Sequence, residues 1–206
     1  MIGLHRSLAV AAMLLGGAAA ASEVTGSAGP RSLASDIAAG RDWTTAVALA
    51  ERIKAGEPMS VFDLRTRDEY ERFHIPSAAH ATFATLIDAP LPRSVPIVVY
   101  AGDSVRAAQA WALLRVRGYR HVAYVREGLY EWIARVHEPA LALDATAAER
   151  MAFERLAVLS RYFGGRPRLD VPRAEIPAGY WTTGDDRVRP SMATALLVAA
   201  IRRRGC

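Results

Sequence analysis

Residues 96–100 constrain the fold of this chain more than any other stretch. Pro96 is followed by Ile, Val, Val and Tyr, an unbroken apolar run rich in β-branched side chains. Such a run is typical of a strand that is buried on both faces of a parallel sheet. It therefore predicts an α/β fold in which helices cover the sheet above and below.

Alternating strand and helix patterns surround this run. The predicted strands cover residues 60–64, 78–83, 96–100 and 121–125, and the predicted helices begin near residues 43, 66, 105 and 128. Strands and helices that alternate in short units connect by right-handed crossovers. We expect one α/β domain, and the 206 residues leave room for an extension beyond it.

Capping residues mark where several helices begin and end. Asp42 and Ser104 each precede an apolar helical stretch and are predicted N-caps. Thr66 and Glu69 have the spacing of a capping box, which predicts a short helix. Gly118 stands where the helix that follows Ser104 needs a residue with positive φ.

Residues 1–21 have the pattern of a secretory signal peptide. A weakly basic start leads into an apolar core over residues 8–15, and cleavage is expected after Ala20 or Ala21. The alternative is a retained membrane anchor, but the apolar run is shorter than the roughly 20 residues of a spanning helix. We expect an exported protein, periplasmic if its source is Gram-negative, with residues 22–40 as a flexible lead-in.

The charge of the chain is basic but dispersed. Lys and Arg number 26 against 21 Asp and Glu, a formal net charge of +5, and only residues 202–204 form an arginine run. A nucleic-acid-binding surface needs a basic stripe interleaved with aromatic side chains, which the sequence lacks. Neither metal-ligand spacing nor a cofactor motif is present. The expected partner is an unidentified protein or a small anion.

Cys206 is the single cysteine of the sequence. An exported protein with one cysteine forms no intramolecular disulfide, so its stability has to come from core packing. Three arginines and a glycine precede this residue, and positive charge favours a reactive thiolate. Two interpretations stay open, a leftover surface thiol and a thiol that carries sulfur or links to a partner.

Three blocks of the sequence resemble the rhodanese-like sulfurtransferase family. The blocks are residues 63–78, with Asp-x-Arg-x-x-x-Glu-Tyr and His-Ile-Pro-Ser-Ala, residues 101–106, and residues 118–132, with Gly-Tyr-x-x-Val and Glu-Gly-x-x-x-Trp. Phe73 and Ser77 stand where the family pattern has glycine. The resemblance implies a parallel five-stranded sheet flanked by helices, in a domain that spans residues 41–140.

The loop formed by residues 101–106 lacks the residue on which the family's chemistry depends. The resemblance implies a cysteine at its first position, which takes sulfane sulfur from a donor such as thiosulfate as a persulfide, and Ala101 stands there. Four residues separate Ala101 from Arg106, the sulfurtransferase loop length rather than the longer phosphatase one. The four are Gly102, Asp103, Ser104 and Val105. We therefore expect no persulfide chemistry at this loop.

Three side chains of the loop leave alternatives open. Asp103 either lies inside the anion-binding loop, where its carboxylate repels anions because like charges about 4 Å apart repel by roughly 4 kcal/mol, or it caps the next helix or faces solvent. Ser104 is expected to be an N-cap rather than a replacement nucleophile, because no histidine follows in the loop to act as its base. Arg106 matches the family's loop arginine and either holds an anion or lies on the surface.

Other residues of the resemblance are expected to support the loop. Asp63 and Arg65 follow a strand and are predicted to form a structural ion pair. His74 is predicted to brace a loop through a hydrogen bond rather than to bind a metal. Trp132 is expected in the core.

Residues 141–206 lie beyond the resemblance and are predicted to form a mainly helical extension. A capping box at Thr146 predicts a long helix, and Tyr180 and Trp181 are expected to pin the segment after it to the domain.

A last helix is predicted from about Pro190. It is almost wholly apolar over residues 192–201 and too short to span a membrane. Docking against the domain is the expected role of this helix. Peripheral membrane or partner contact through residues 190–204 is the alternative.

The sequence thus predicts an exported, non-catalytic binding or regulatory protein with a rhodanese-like fold. Ala101 removes the nucleophile from the loop, and Asp103 opposes anionic substrates. The alternative function is that of a sulfurtransferase or sulfur carrier acting through Cys206.

Overall fold

A computed structural model describes residues 27–177 and 180–181 of this chain. Five short strands form one parallel sheet: β1 (Trp43–Thr44), β2 (Ser60–Asp63), β3 (Ala78–His80), β4 (Ile97–Tyr100) and β5 (Val122–Val125). Their order across the sheet is β1-β5-β4-β2-β3. Strand β4 is therefore central, and all four of its residues are buried, as its apolar sequence predicts.

Helices cover both faces of this sheet. They are α1 (Pro30–Ala38), α2 (Ala46–Lys54), α3 (Arg67–Arg72), α4 (Phe83–Asp88), α5 (Ser104–Val116) and α6 (Gly128–Glu131), which continues as a π-helical segment (Trp132–His137). Val98 of β4 packs into a core that contains Trp132, whereas Val99 packs into a second core that contains Trp111. Successive side chains of a strand point to opposite faces, so one strand serves both cores. The predicted α/β class is confirmed.

The extension beyond residue 140 has its own small core. Strands β6 (Ala140–Ala142) and β7 (Arg168–Val171) pair in parallel, and helix α7 (Ala147–Tyr162) connects them. A 3-10 turn follows at Arg173–Glu175. Helix α7 packs against α2 and the π-helical segment, which attaches the extension to the sheet domain. The sequence predicted the long helix but not the two strands.

Tyr180 anchors the end of the described extension. Its hydroxyl donates to the carbonyl oxygen of Ala134 at 2.5 Å and accepts from the backbone N–H of Ala140 at 3.1 Å. The side chain is almost fully buried. The predicted pinning role of Tyr180 is confirmed.

Two predicted helix caps and one predicted glycine are also confirmed. Thr66 and Thr146 each form a capping box with the glutamate three residues later, Glu69 and Glu149. Gly118 has a φ of 88° directly after α5. These features depend on contacts within a few residues, so the local sequence suffices to predict them.

Two other predicted caps are wrong. Asp42 does not cap the first domain helix, because Trp43 enters strand β1 and the side chain of Thr45 accepts from Ala48 N–H at 3.1 Å instead. Pairing with β5 takes β1 out of the helical pattern. At the start of α5, Asp103 rather than Ser104 is the N-cap.

The predicted flexible lead-in is wrong for residues 30–38, which form α1. Asp36 of this helix pairs with Arg115 of α5 at 2.6 Å, and Leu33 packs against the core beneath α5. The strand predicted over residues 78–83 is also shorter, because the side chain of Thr82 caps α4. Tertiary contacts stabilise α1 despite its Ser- and Ala-rich composition. The cap at Thr82 ends the extended segment before residue 83.

Several predictions concern residues outside the described part of the chain. They are the signal peptide over residues 1–21, the start of the lead-in, the last helix from about Pro190, the arginine run and Cys206. Among the helices of residues 27–177, none combines the length and apolar character that crossing a bilayer requires.

Candidate functional site

The loop that follows β4 places Ala101 in the interior. Ala101 is only 3% exposed, and its side chain belongs to the core beneath α5. Its carbonyl oxygen accepts a hydrogen bond from Leu129 N–H at 2.9 Å. Position 101 thus presents a buried methyl group at the carboxyl end of a central parallel strand, the edge where α/β proteins bind ligands.

Gly128 allows the backbone to close against this loop. Its φ is +60°, and a Cβ atom added there would lie 2.4 Å from the carbonyl oxygen of Ala101. No side chain fits at that distance, and the positive φ independently favours glycine. The glycine of the third sequence block therefore brings α6 into contact with the loop.

Asp103 occupies the positive end of α5. Its Oδ1 accepts from Val105 N–H at 2.9 Å, which makes the carboxylate an N-cap. The free N–H groups and dipole at a helix N-terminus are the usual attraction for a bound anion. Here a side-chain carboxylate of the same chain takes one of those N–H groups. Of the positions expected for Asp103, the structure shows the helix cap.

Val105 and Arg106 lie at an open depression in the surface, which we call the loop mouth. Val105 is 64% exposed, and Arg106 is also exposed. Both residues line a depression together with Phe83, Asp103 and Gln109. Val105 adds an apolar surface at the mouth, and Arg106 adds a positive charge.

Asp63 and Arg65 form the predicted ion pair, and it is buried. Asp63 is fully buried and the Arg65 side chain is 8% exposed, with Nη2 and Oδ2 2.5 Å apart. Arg65 Nε also donates to Oδ1 at 3.0 Å, and Arg65 N–H donates to the same oxygen at 2.9 Å. This fork-shaped contact satisfies the carboxylate within the protein.

The ion pair supports the segment that follows α3 rather than the loop mouth. Arg65 Nη2 donates to the carbonyl oxygen of Phe73 at 2.6 Å. Tyr100 lies beside Asp63, and its hydroxyl accepts from Ile75 N–H at 3.0 Å. Burial, reinforced by the Asp63 charge, raises the pKa of Tyr100. The backbone of residues 73–75 is therefore held in place by hydrogen bonds to Arg65 and Tyr100, and Asp63 positions Arg65.

His74 braces the same segment. Its Nδ1 lies 2.9 Å from the carbonyl oxygen of Tyr70, and its ring stacks on the Tyr70 ring with centroids 4.1 Å apart. Ser77 has a φ of 68°, a conformation that favours the glycine of the family pattern. Within residues 27–177, no group of three or more His, Cys, Asp or Glu side chains could hold a metal ion.

The structure brings together some of the predicted site residues and separates others. Asp63 and Arg65 form one network with the segment that contains His74. Within the described residues, no hydrogen bond or ion pair links Arg106 to Asp63 or Arg65. The supporting network therefore adjoins the loop through Tyr100 but has no direct bond to Arg106.

Glu131 is a buried acid that the sequence analysis did not identify. It is 7% exposed, and its Oε2 accepts from Ala46 N–H at 2.8 Å at the start of α2. Burial raises its pKa to about 7, although the hydrogen bond from Ala46 and then the charges of Arg126 and Arg135 partly oppose the rise. Glu131 directly precedes Trp132 in the third block, but no local pattern marks it as buried, because its partner is distant in sequence.

Replacing Glu131 by Gln is expected to remove part of the pH dependence of stability. The pKa is about 7 in the folded chain against an ordinary value of 4.5, so ionisation destabilises the fold as pH rises between them. One pKa unit is worth about 1.4 kcal/mol, so this contribution is on the order of 3 kcal/mol. Denaturant unfolding at several pH values should show that the free energy of unfolding of the variant rises relative to that of wild type between pH 5 and 8. A difference that does not change with pH would contradict this.

A family model and several solved structures are similar to part of this chain. The sequence model described as Rhodanese-like domain matches residues 45–135. A rhodanese-like domain from Anabaena sp., solved by NMR, is 33% identical over 44% of this chain and 71% of its own length, with a TM-score of 0.41. A crystal structure of the same Anabaena protein is 32% identical over 43% of this chain and 83% of its own, with a TM-score of 0.41.

A more distant structure completes the comparisons. A rhodanese-like domain protein from Staphylococcus aureus is 22% identical over 44% of this chain and 90% of its own, with a TM-score of 0.41. Comparison with curated proteins gives no significant match.

Proposed function

This chain belongs to the rhodanese-like domain family, and we propose that it is an exported member that binds a ligand or partner without transferring sulfur. The observation that carries the proposal is Ala101. A methyl group occupies the position where the family resemblance implies the sulfur-accepting cysteine. Without that side chain the loop has no atom that can form a persulfide.

The chemistry of sulfur transfer supports this conclusion. The attacking group has to be a thiolate, which forms an S–S bond and later leaves from it. Cys206 is the only cysteine of the sequence and lies outside the described residues. Ser104, the nearest hydroxyl in the loop, has no histidine beside it in the sequence to act as its base.

Asp103 is a second reason, independent of Ala101, to expect that the loop does not turn over an anionic sulfur donor. Its carboxylate bonds to Val105 N–H at the start of α5, the place where an anionic donor would bind. A thiosulfate ion at that place would find the Val105 N–H group already hydrogen-bonded. It would also be repelled by the negative charge of Asp103. The loop mouth is therefore proposed to bind a protein rather than an anion. Val105 and Phe83 provide the apolar contact surface for this partner.

A thiosulfate-to-cyanide sulfur transfer assay tests the proposal. The wild-type protein is expected to show no turnover above buffer. Intact-mass measurement after thiosulfate treatment should show no added sulfur. Turnover that survives Cys206→Ser would contradict the proposal, whereas an added sulfur that disappears in Cys206→Ser would favour the carrier function instead.

A further inference from the structure

A groove of about 680 Å³ lies between α2 and α7, on a different face from the loop mouth. Its walls are largely apolar, from Val47 on α2 and from Leu156, Val158 and Leu159 on α7. Val158 is 53% exposed, so part of this apolar wall faces solvent.

The charged side chains of the groove are of both signs. Glu51, Lys54, Arg135 and Arg155 line it together with the buried Glu131. Such a mixture gives no strong field of one sign that would select an anion or a cation. An occupant of the groove therefore has to present apolar side chains to these walls.

The described chain ends at this groove. Trp181 is the last described residue and lines the groove, next to Tyr180, which is anchored by its two hydrogen bonds. Residues 182–206 follow Trp181 directly in the sequence. The tether makes this part of the chain the occupant at highest effective concentration.

The sequence that follows has the composition of a buried helix. Residues 192–201 read Met-Ala-Thr-Ala-Leu-Leu-Val-Ala-Ala-Ile, in which every residue except Thr194 is apolar. A helix of this kind needs apolar contacts on more than one side, which a groove between two helices provides and a flat face does not.

The lengths also agree. Ten helical residues span about 15 Å, and α2, with nine residues, spans about 14 Å. Residues 182–190 contain Gly184 and Pro190, and an extended connection of this length reaches at most about 30 Å. That reach is twice the length of the groove wall formed by α2, so the chain has room to turn back.

We propose that residues 192–201 of this chain bind as a helix in the groove between α2 and α7. Their apolar side chains cover Val47, Leu156 and Val158. The binding is intramolecular and does not depend on whether the loop transfers sulfur.

The single cysteine offers a direct test. A nitroxide label on Cys206, five residues beyond the proposed helix, broadens the NMR signals of nearby amides in the ¹⁵N-labelled protein. We expect residues 152–159 to lose most of their signal intensity and residues 102–106 to keep theirs. Uniform weak broadening, or broadening centred on the loop, would overturn the proposal.

Two matched variants sharpen this test. Val158→Glu puts a charge on the exposed wall of the groove, and Val105→Glu puts the same charge on an exposed valine at the loop mouth. Only Val158→Glu is expected to restore the signals of residues 152–159. Equal effects of the two substitutions would contradict specific binding in the groove.

A mixing experiment separates one chain from two. Spin-labelled protein without ¹⁵N is mixed with ¹⁵N-labelled protein that carries no spin label. The proposal expects no broadening in the mixture. Broadening of residues 152–159 there would show that the groove takes the segment of a second copy, which would overturn intramolecular binding.

Discussion

Replacing Asp63 by Asn is expected to lower the free energy of unfolding by about 3–5 kcal/mol, because it leaves a buried cation without its counterion. The Arg65 side chain is only 8% exposed, and two of its nitrogens bond to the Asp63 carboxylate. Asparagine is nearly the same size, so the loss reports charge rather than packing. Chemical denaturation followed by circular dichroism measures it.

A surface ion pair provides the matched control. Arg67 and Glu71 lie 3.3 Å apart on α3, both more than half exposed. Glu71→Gln is expected to change stability by no more than about 0.5 kcal/mol. If Asp63→Asn cost no more than Glu71→Gln, the buried pair would not hold the segment after α3 as described.

The second large effect concerns the loop. The pair Ala101→Cys and Asp103→Gly, made in a Cys206→Ser background, is expected to take up one sulfur atom from thiosulfate where wild type takes up none. The new thiolate attacks the outer sulfur, the S–S bond of thiosulfate breaks, and sulfite leaves with the bonding electron pair. Removing Asp103 frees Val105 N–H and removes a like charge.

Ala101→Cys alone is expected to react at least about tenfold more slowly, since each 1.4 kcal/mol of repulsion is worth a factor of ten. Glycine is a tolerated N-cap, so losing Asp103 costs the helix only about a few tenths of a kcal/mol. Intact-mass spectra over time measure the uptake, and Ala101→Ser with Asp103→Gly is the control without a thiol. Equal rates with and without Asp103 would show that its carboxylate does not oppose the anion.

Local sequence predicted the parts of this fold that depend on neighbouring residues. The capping boxes at Thr66 and Thr146 involve residues three apart, and both are present. Strand β1 was not predicted, because its extended conformation comes from pairing with β5, which is far along the chain. Helix α1 escaped because Asp36 finds its partner in Arg115, which composition does not reveal.

The sequence alone also determined what the loop lacks. The alanine at position 101 and the spacing to Arg106 are read directly from the chain, because the absence of a thiol needs no coordinates. The pairing of Asp63 with Arg65 was predictable for a similar reason, since the two residues are only two positions apart.

Tertiary structure decided the roles that depend on distant neighbours. Gly128 is needed because α6 approaches the carbonyl oxygen of Ala101, and Glu131 has a raised pKa because it is buried at the start of α2. Close approach and burial depend on chain segments that meet only in the folded protein. The residue types came from the sequence, and their surroundings came from the fold.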